Sequence, residues 1–326
     1  MKMSTEMPML PPALQRYSLN GATMGTLYSA VFFAPPGLDE QAVNAGLFNA
    51  VDRVDQQMST WKADSDLCRL NTAPVGQWQA VPRELLQVLH TALLVSRESG
   101  GAFDIGVGDL VSAWGFGPAK QLDEQRANAL RMQQRKPASE VLEIDSSTAR
   151  VRKVEPVALD LSGIAKGFGV DELARCLERF GVTRYLVGID GEMRARGLKP
   201  DGQAWAVAIE KPLRGVREVM GVMELTNAAI ATSGDYRHWV EVGNTHYAHT
   251  MDPARQMPLS GELAAVSVVE SRCMLADAWA TALMVLGVEA GSKLAQRRGM
   301  DALFVLRDGE GFKELSIVGG QVQTQC

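Results

Sequence analysis

At 326 residues and 46% hydrophobic, the chain carries enough apolar surface for one large core or two ordinary ones, which excludes a disordered protein. Its 33 basic and 38 acidic residues give a net charge of −5 with no long run of one sign, so no electrostatic footprint for nucleic acid is present. The four cysteines lack a Cys-x-x-Cys pair and the four histidines lack His-x-x-x-His spacing, which predicts free thiols in a reducing compartment, argues against zinc and leaves hard, oxygen-bound metals.

Residues 1–18 read as a polar, proline-containing lead without the apolar core or cleavage site of a signal peptide. No apolar run approaches the roughly 20 residues that span a bilayer. The chain as written is therefore expected in the cytoplasm, with a periplasmic or membrane-anchored form as the alternative if the sequence is trimmed. Residues 26–33 predict a strand closed by Pro35-Pro36-Gly37. Val43, Leu47, Val51 and Val54 recur at helical spacing over 39–58, and Leu85, Leu86, Leu89, Leu93 and Leu94 do so over 83–99, ending at Gly100-Gly101. The segments Phe103–Leu110 and Trp114–Pro118 are too glycine-rich for regular helix throughout. The polar stretch 119–140 reads as a surface excursion or insertion.

The segment from Leu159 to Asp171 predicts a short apolar strand, a glycine-rich turn through Gly163, Gly167 and Gly169, and a helix over 170–180. Its spacing matches neither a Walker loop, because Lys166 precedes Gly167 with no hydroxyl residue following, nor a dinucleotide fingerprint. A glycine-rich turn of this kind serves structure as often as phosphate. Lys166 at a helix start is electrostatically misplaced unless an anion sits there. Further strands are expected at 184–189, 193–197, 204–210, 219–225 and 229–231, then a hairpin of 236–242 and 246–249 about Gly243-Asn244, a helix over 275–287 and a strand over 302–306. This grammar predicts an α+β fold of mixed, mostly antiparallel sheets with packed helices, as one composite domain over 19–326.

Five further segments carry polar or glycine-rich content in a distinctive order: Met24-Gly25-Thr26, Gly101-Ala102-Phe103-Asp104, Ala231-Thr232-Ser233-Gly234-Asp235-Tyr236, His249-Thr250-Met251-Asp252-Pro253, and Ala276-Asp277-Ala278-Trp279-Ala280-Thr281-Ala282. Together with 159–171 they resemble the ApbE-type flavin transferases, the FAD:protein FMN transferase family, from about residue 20 to about residue 310. The resemblance implies a T-fold-like architecture and Mg²⁺-dependent transfer of the FMN half of FAD to a Thr or Ser hydroxyl of a target flavoprotein, with AMP leaving. The implied acceptor segment is Ser/Thr-Gly-Ala-Thr/Ser. FAD hydrolysis to FMN and AMP, or FAD binding without catalysis, are the alternatives.

The same resemblance implies roles for single residues. Asp277 and Thr281, four apart on one helix face, would hold Mg²⁺ with the carbonyls of Gly163 and Ala280; a helix threonine can instead bond its own i−4 carbonyl. Lys166 would offset charge on the phosphates. Asp160, Met24, Ala102, Phe103, Asp104 and Thr250 match FAD-contacting positions, although Phe103 and Met24 also read as core residues and Asp160 as a local strand-end carboxylate. His249 would assist deprotonation of the acceptor hydroxyl, against the alternative of a histidine bonded to a carbonyl. Two departures from the family pattern stand out: Ser162 replaces a common glycine, and Ala254-Arg255-Gln256-Met257 follows Asp252-Pro253 where a residue, Thr and Gly are usual. Gly21-Ala22-Thr23 matches the Gly-Ala-Thr core of acceptor sites, which raises self-flavinylation as an alternative to chance recurrence.

Overall fold

Nine strands form one sheet whose spatial order is their order along the chain. They are β1 (Gln15–Thr23), β2 (Thr26–Ala34), β3 (Arg184–Ile189), β4 (Glu192–Arg196), β5 (Ala229–Gly234), β6 (Leu263–Glu270), β7 (Asp301–Asp308), β8 (Gly311–Val318) and β9 (Gln321–Gln323). Every neighbouring pair is antiparallel. The expected antiparallel α+β class is thus realised as a meander with helices inserted between strands. The computed structural model describes residues 13–118, 121–237, 239–242, 245–309 and 311–323. The lead up to residue 12, residues 119–120 of the expected insertion, the turn at Gly243-Asn244 and Cys326 lie outside the described residues.

Four helices lie against the sheet and one another: α1 (Glu40–Met58), α2 (Arg83–Glu98), α3 (Ala165–Arg179) and α4 (Cys273–Arg297). The apolar periodicity of α1 places Val43, Leu47, Val51 and Val54 fully inside, and Asp39 caps its start by accepting the Ala42 N–H at 3.0 Å. On this face Tyr28 and Phe32 of β2 and Tyr185 and Val187 of β3 pack with α1 and with Val170, Leu173 and Leu177 of α3. Farther along, Val266 and Val268 of β6 and Phe304 of β7 pack with Trp279 and Leu283 of α4 and with Leu85, Leu89 and Leu93 of α2. The opposite face is covered by the hairpin of Trp205–Glu210 and Val219–Leu225, where Phe33 meets Trp205 at 5.9 Å between ring centroids. Leu94, expected in the core, faces solvent.

The structure differs from the sequence expectation in several places. β1 begins at Gln15, inside the expected lead, because its alternating Tyr17 and Leu19 bury against the helices. No sheet strand forms over 159–161. The backbone of that segment is satisfied instead by a side chain and a short helical turn: Leu159 N–H donates to Asn71 Oδ1, Asn71 Nδ2 donates to the Leu159 carbonyl, and Asp160 N–H donates to the Ile105 carbonyl. The helix then begins at Ala165, so Lys166, Gly167 and Gly169 are helical and not part of a turn. α4 runs ten residues past its expected end, through a break at Gly287 (φ 74°). The described part of the excursion folds as a helix over Glu124–Arg131 and a short turn over Ala138–Val141.

α4 is long and apolar enough by composition to cross a membrane, with a mean hydropathy of 1.5, yet it runs as a core helix with Ala276, Ala278, Trp279, Ala282 and Leu283 inside. Its apolarity comes from contact with the sheet on one side and α2 and α3 on others. Cys68, Cys176 and Cys273 are free thiols.

Candidate active site

One end of the sheet gathers the polar residues. Tyr28 of β2 pairs with Ile189, Ile189 with Glu192, and Met193 with Ile230. The hairpin tip at Met24-Gly25, the Asp190-Gly191 turn and the last residues of β5 therefore emerge at the same edge. The starts of α3 and α4 cross just beneath.

That crossing depends on glycine. A Cβ on Gly167 would stand 2.4 Å from the Cys273 carbonyl oxygen and 2.8 Å from Asp277 Cβ, and one on Gly169 would stand 2.8 Å from Ile189 Cδ1. Of the glycines read from sequence as a turn serving either structure or phosphate, Gly167 lets the two helices approach and Gly169 lets α3 approach β3 and the Met24 side chain. Neither helix carries its own side-chain N-cap, and each borrows one from the other. Asp277 Oδ2 accepts the Gly167 N–H at 2.9 Å, while Asp171 accepts the Cys273 and Met274 N–H groups at 3.0 and 3.1 Å and pairs with Arg194 at 2.6 Å.

Around this crossing sits a dense charge cluster. Lys166 Nζ donates to Glu192 Oε1 at 2.7 Å and lies 3.9 Å from Asp190. Asp190, held in the left-handed region (φ 56°), pairs with Arg237 at 2.5 Å, and Arg237 continues to Glu210 at 2.7 Å. The cation that looked misplaced at a helix start is therefore met by protein carboxylates, Glu192 first. Its ammonium is held well above the ordinary lysine range by Glu192, Asp277 and Asp190, against the opposing effect of burial. Asp277 is fully enclosed. Burial first, and repulsion from Glu192 second, push its carboxyl up to about 7, opposed by Lys166 and the Gly167 N–H.

Thr281 completes the cluster. Its Oγ1 lies 3.0 Å from Ser233 Oγ and 3.1 Å from where a Cβ on Gly163 would be, so the missing side chain at Gly163 makes room for the hydroxyl. The structure thus places Thr281 beside Gly163 and one helical turn from Asp277. Among the described residues no group of three or more His, Cys, Asp and Glu side chains could hold a metal by itself. A cation here would need mixed oxygen donors, and a carboxylate, a hydroxyl and a backbone carbonyl suit Mg²⁺ rather than zinc.

The remaining candidates form the flanks. Met24 occupies the β1–β2 turn in a left-handed conformation (φ 47°), with its Cε 3.2 Å from the Cβ position of Gly169. Phe103 is buried in the core and its Cε2 lies 3.3 Å from where a Cβ on Gly163 would be, so it packs and borders the site at once. Beside it, half-buried Ala102 lies in the loop leaving α2. Asp104 accepts the N–H groups of Gly106 and Ala138, each at 2.9 Å, and burial raises its carboxyl; it clips the 119–140 excursion to the glycine-rich loop. Asp160 accepts the Ser162 N–H at 2.8 Å and is also raised by burial. It borders a cavity of about 150 Å³ lined also by Asn71, Ser112 and Gly117. His249 and Thr250 are carried on a separate loop beyond the strand Thr245–Ala248, where the His249 ring stands edge-on to Phe116 at 6.4 Å.

Sequence reasoning assigned no role to Glu192, Asp190, Arg237, Ser233 or Asp171. Glu192 follows an Asp-Gly turn and reads as an ordinary hairpin carboxylate. Only the strand register brings it to Lys166.

Comparison with known proteins gives one answer. The ApbE family model matches residues 24–304. The FAD:protein FMN transferase of Vibrio cholerae serotype O1 is 37% identical over 305 residues, covering 92% of this chain and 90% of that protein. The protein of the same name in Escherichia coli strain K12 is 32% identical over 302 residues, covering 90% and 85%. The solved apo structure of the Pseudomonas stutzeri flavinyl transferase ApbE matches with a TM-score of 0.83 at 34% identity, covering 94% of this chain and 96% of that one.

Proposed function

The chain belongs to the ApbE family, and from that premise we propose that it transfers the FMN moiety of FAD to a Thr or Ser hydroxyl of a target flavoprotein in a Mg²⁺-dependent reaction that releases AMP. The observation that carries the proposal is the buried Asp277, fixed by the Gly167 N–H, one helical turn from Thr281 and close to Lys166.

In this reading the acceptor oxygen attacks the phosphorus on the FMN side of the diphosphate. The phosphorus bond to the bridging oxygen breaks, AMP leaves with that oxygen and its electron pair, and the hydroxyl proton passes to His249. Mg²⁺ would be held by Asp277, Thr281 and the Gly163 carbonyl, and would supply charge neutralisation at the phosphoryl oxygens. Lys166 adds a second positive charge to the same oxygens. It does so by turning from Glu192, which holds the ammonium charged and in place until the diphosphate arrives. Met24, Ala102, Phe103, Asp104, Asp160 and Thr250 would border the flavin and adenosine parts, and Phe103 and Met24 would exclude water with their apolar faces.

The test is incubation of the protein with FAD, Mg²⁺ and a flavoprotein domain carrying a Ser/Thr-Gly-Ala-Thr/Ser segment, read by in-gel flavin fluorescence after denaturation and by free FMN. A fluorescent target that depends on Mg²⁺ is expected. Free FMN without labelling would indicate hydrolysis instead, and unchanged FAD would overturn both.

A further inference from the structure

We propose that Ser233 is a positioning residue whose Oγ accepts the hydrogen bond donated by the Thr281 hydroxyl and so turns the Thr281 lone pairs toward a bound divalent cation; the inference rests on the reading of Asp277, Thr281 and Gly163 as the oxygen donors. A threonine inside a helix ordinarily donates its hydroxyl to the carbonyl four residues back. Two threonines of this protein do so, Thr72 to Cys68 and Thr91 to Gln87, each at 3.0 Å. Thr281 departs from that habit. Its hydroxyl partner is Ser233 Oγ at 3.0 Å, on a different element.

The strand places Ser233 for this contact. Ser233 pairs directly with Val266 of β6, whose side chain is fully buried against α4, and residues opposite each other in an antiparallel pair share a face. Thr232, one position earlier, points to the other face and meets Ser267 at 2.7 Å. The β5 register therefore aims Ser233 at α4 and its neighbour away from it.

A hydroxyl has one proton and two lone pairs. With Ser233 accepting, the Thr281 proton is directed at the strand and both lone pairs are free for a cation over the open Gly163 backbone. If Ser233 were absent, the proton would return to the Asp277 carbonyl and rotate the lone pairs with it. Orienting partners of this kind typically change metal affinity by about 10- to 100-fold when removed.

Mn²⁺ binding to the full chain without FAD, read as loss of the free-ion EPR signal, tests the inference apart from turnover. The wild type is expected to bind, Asp277→Asn to lose binding, Ser233→Ala to bind about tenfold or more weakly, and Ser233→Thr, which keeps the hydroxyl, to recover most of the affinity. Wild-type affinity in Ser233→Ala would overturn the inference while leaving the metal site standing. Equal weakening in Ser233→Ala and Ser233→Thr would assign the effect to packing and overturn it as well. No difference between wild type and Asp277→Asn would instead overturn the metal site on which the inference rests.

Discussion

Asp277 of α4 accepts the backbone N–H of Gly167 on α3 at 2.9 Å, so a proposed metal ligand is also the N-cap of the neighbouring helix. One carboxylate thus couples the geometry of the two helices to the charge state of the site. Its environment favours the neutral form, because burial and Glu192 raise its carboxyl from an ordinary 3.8 to about 7.

Between pH 3.8 and about 7 the unfolded chain has released the Asp277 proton and the folded chain has not, so this group's contribution falls as pH rises and levels off above about 7. The slope is roughly 1.4 kcal/mol per pH unit within the window. Without divalent ions, Asp277→Asn should have a higher melting temperature than wild type at pH 8, and little advantage at pH 4. Added Mg²⁺ should raise the wild-type melting temperature and leave Asp277→Asn unmoved. A pH-independent gap between the two proteins would contradict the raised carboxyl.

Asp171 provides the reciprocal cap and is completely buried, with Arg194 as its counter-ion. Asp171→Ala leaves two helix-start N–H groups without that acceptor and strands a guanidinium. A loss of about 3–5 kcal/mol is expected in urea unfolding. A loss below about 1 kcal/mol would show that the cap is dispensable.

Lys166 and Glu192 separate stability from catalysis. Lys166→Met leaves Glu192, only 3% exposed at its side chain, without its nearest cation and should destabilise the fold by about 2 kcal/mol while lowering flavin transfer by about 100-fold. Adding Glu192→Gln should restore most of the stability and none of the transfer. Recovery of transfer in the double variant would remove Lys166 from the phosphoryl site.

Gly21-Ala22-Thr23 has the composition of an acceptor segment, but the structure places it in β1, paired with Tyr28, Leu27 and Thr26 of β2. The Thr23 hydroxyl is buried and lacks a hydrogen-bond partner. Intact mass after incubation with FAD and Mg²⁺ should therefore show no FMN addition to the folded protein. An added FMN mass mapped to Thr23 would mean that the hairpin opens.

The sequence by itself determined the elements whose burial pattern is local. Val43, Leu47, Val51 and Val54 specify α1 because helical periodicity alone puts them on one face, and Asp277 and Thr281 share a face of α4 for the same reason. The order of the polar motifs carried the family. What the sequence did not contain was the partner of each group. The Leu159–Leu161 run reads as a strand because its apolarity is visible, whereas Asn71, 88 residues earlier, satisfies its backbone. Gly167 and Gly169 read as a turn because an isolated chain gives glycine no reason to be helical, and the reason is the Cys273 carbonyl and Ile189 pressing on them. Glu192 at Lys166 and Ser233 at Thr281 arise from antiparallel register across strands far apart in the chain. Tertiary structure alone decided those contacts, because which carboxylate or hydroxyl faces a given helix is set by strand pairing and helix crossing, not by neighbours in sequence.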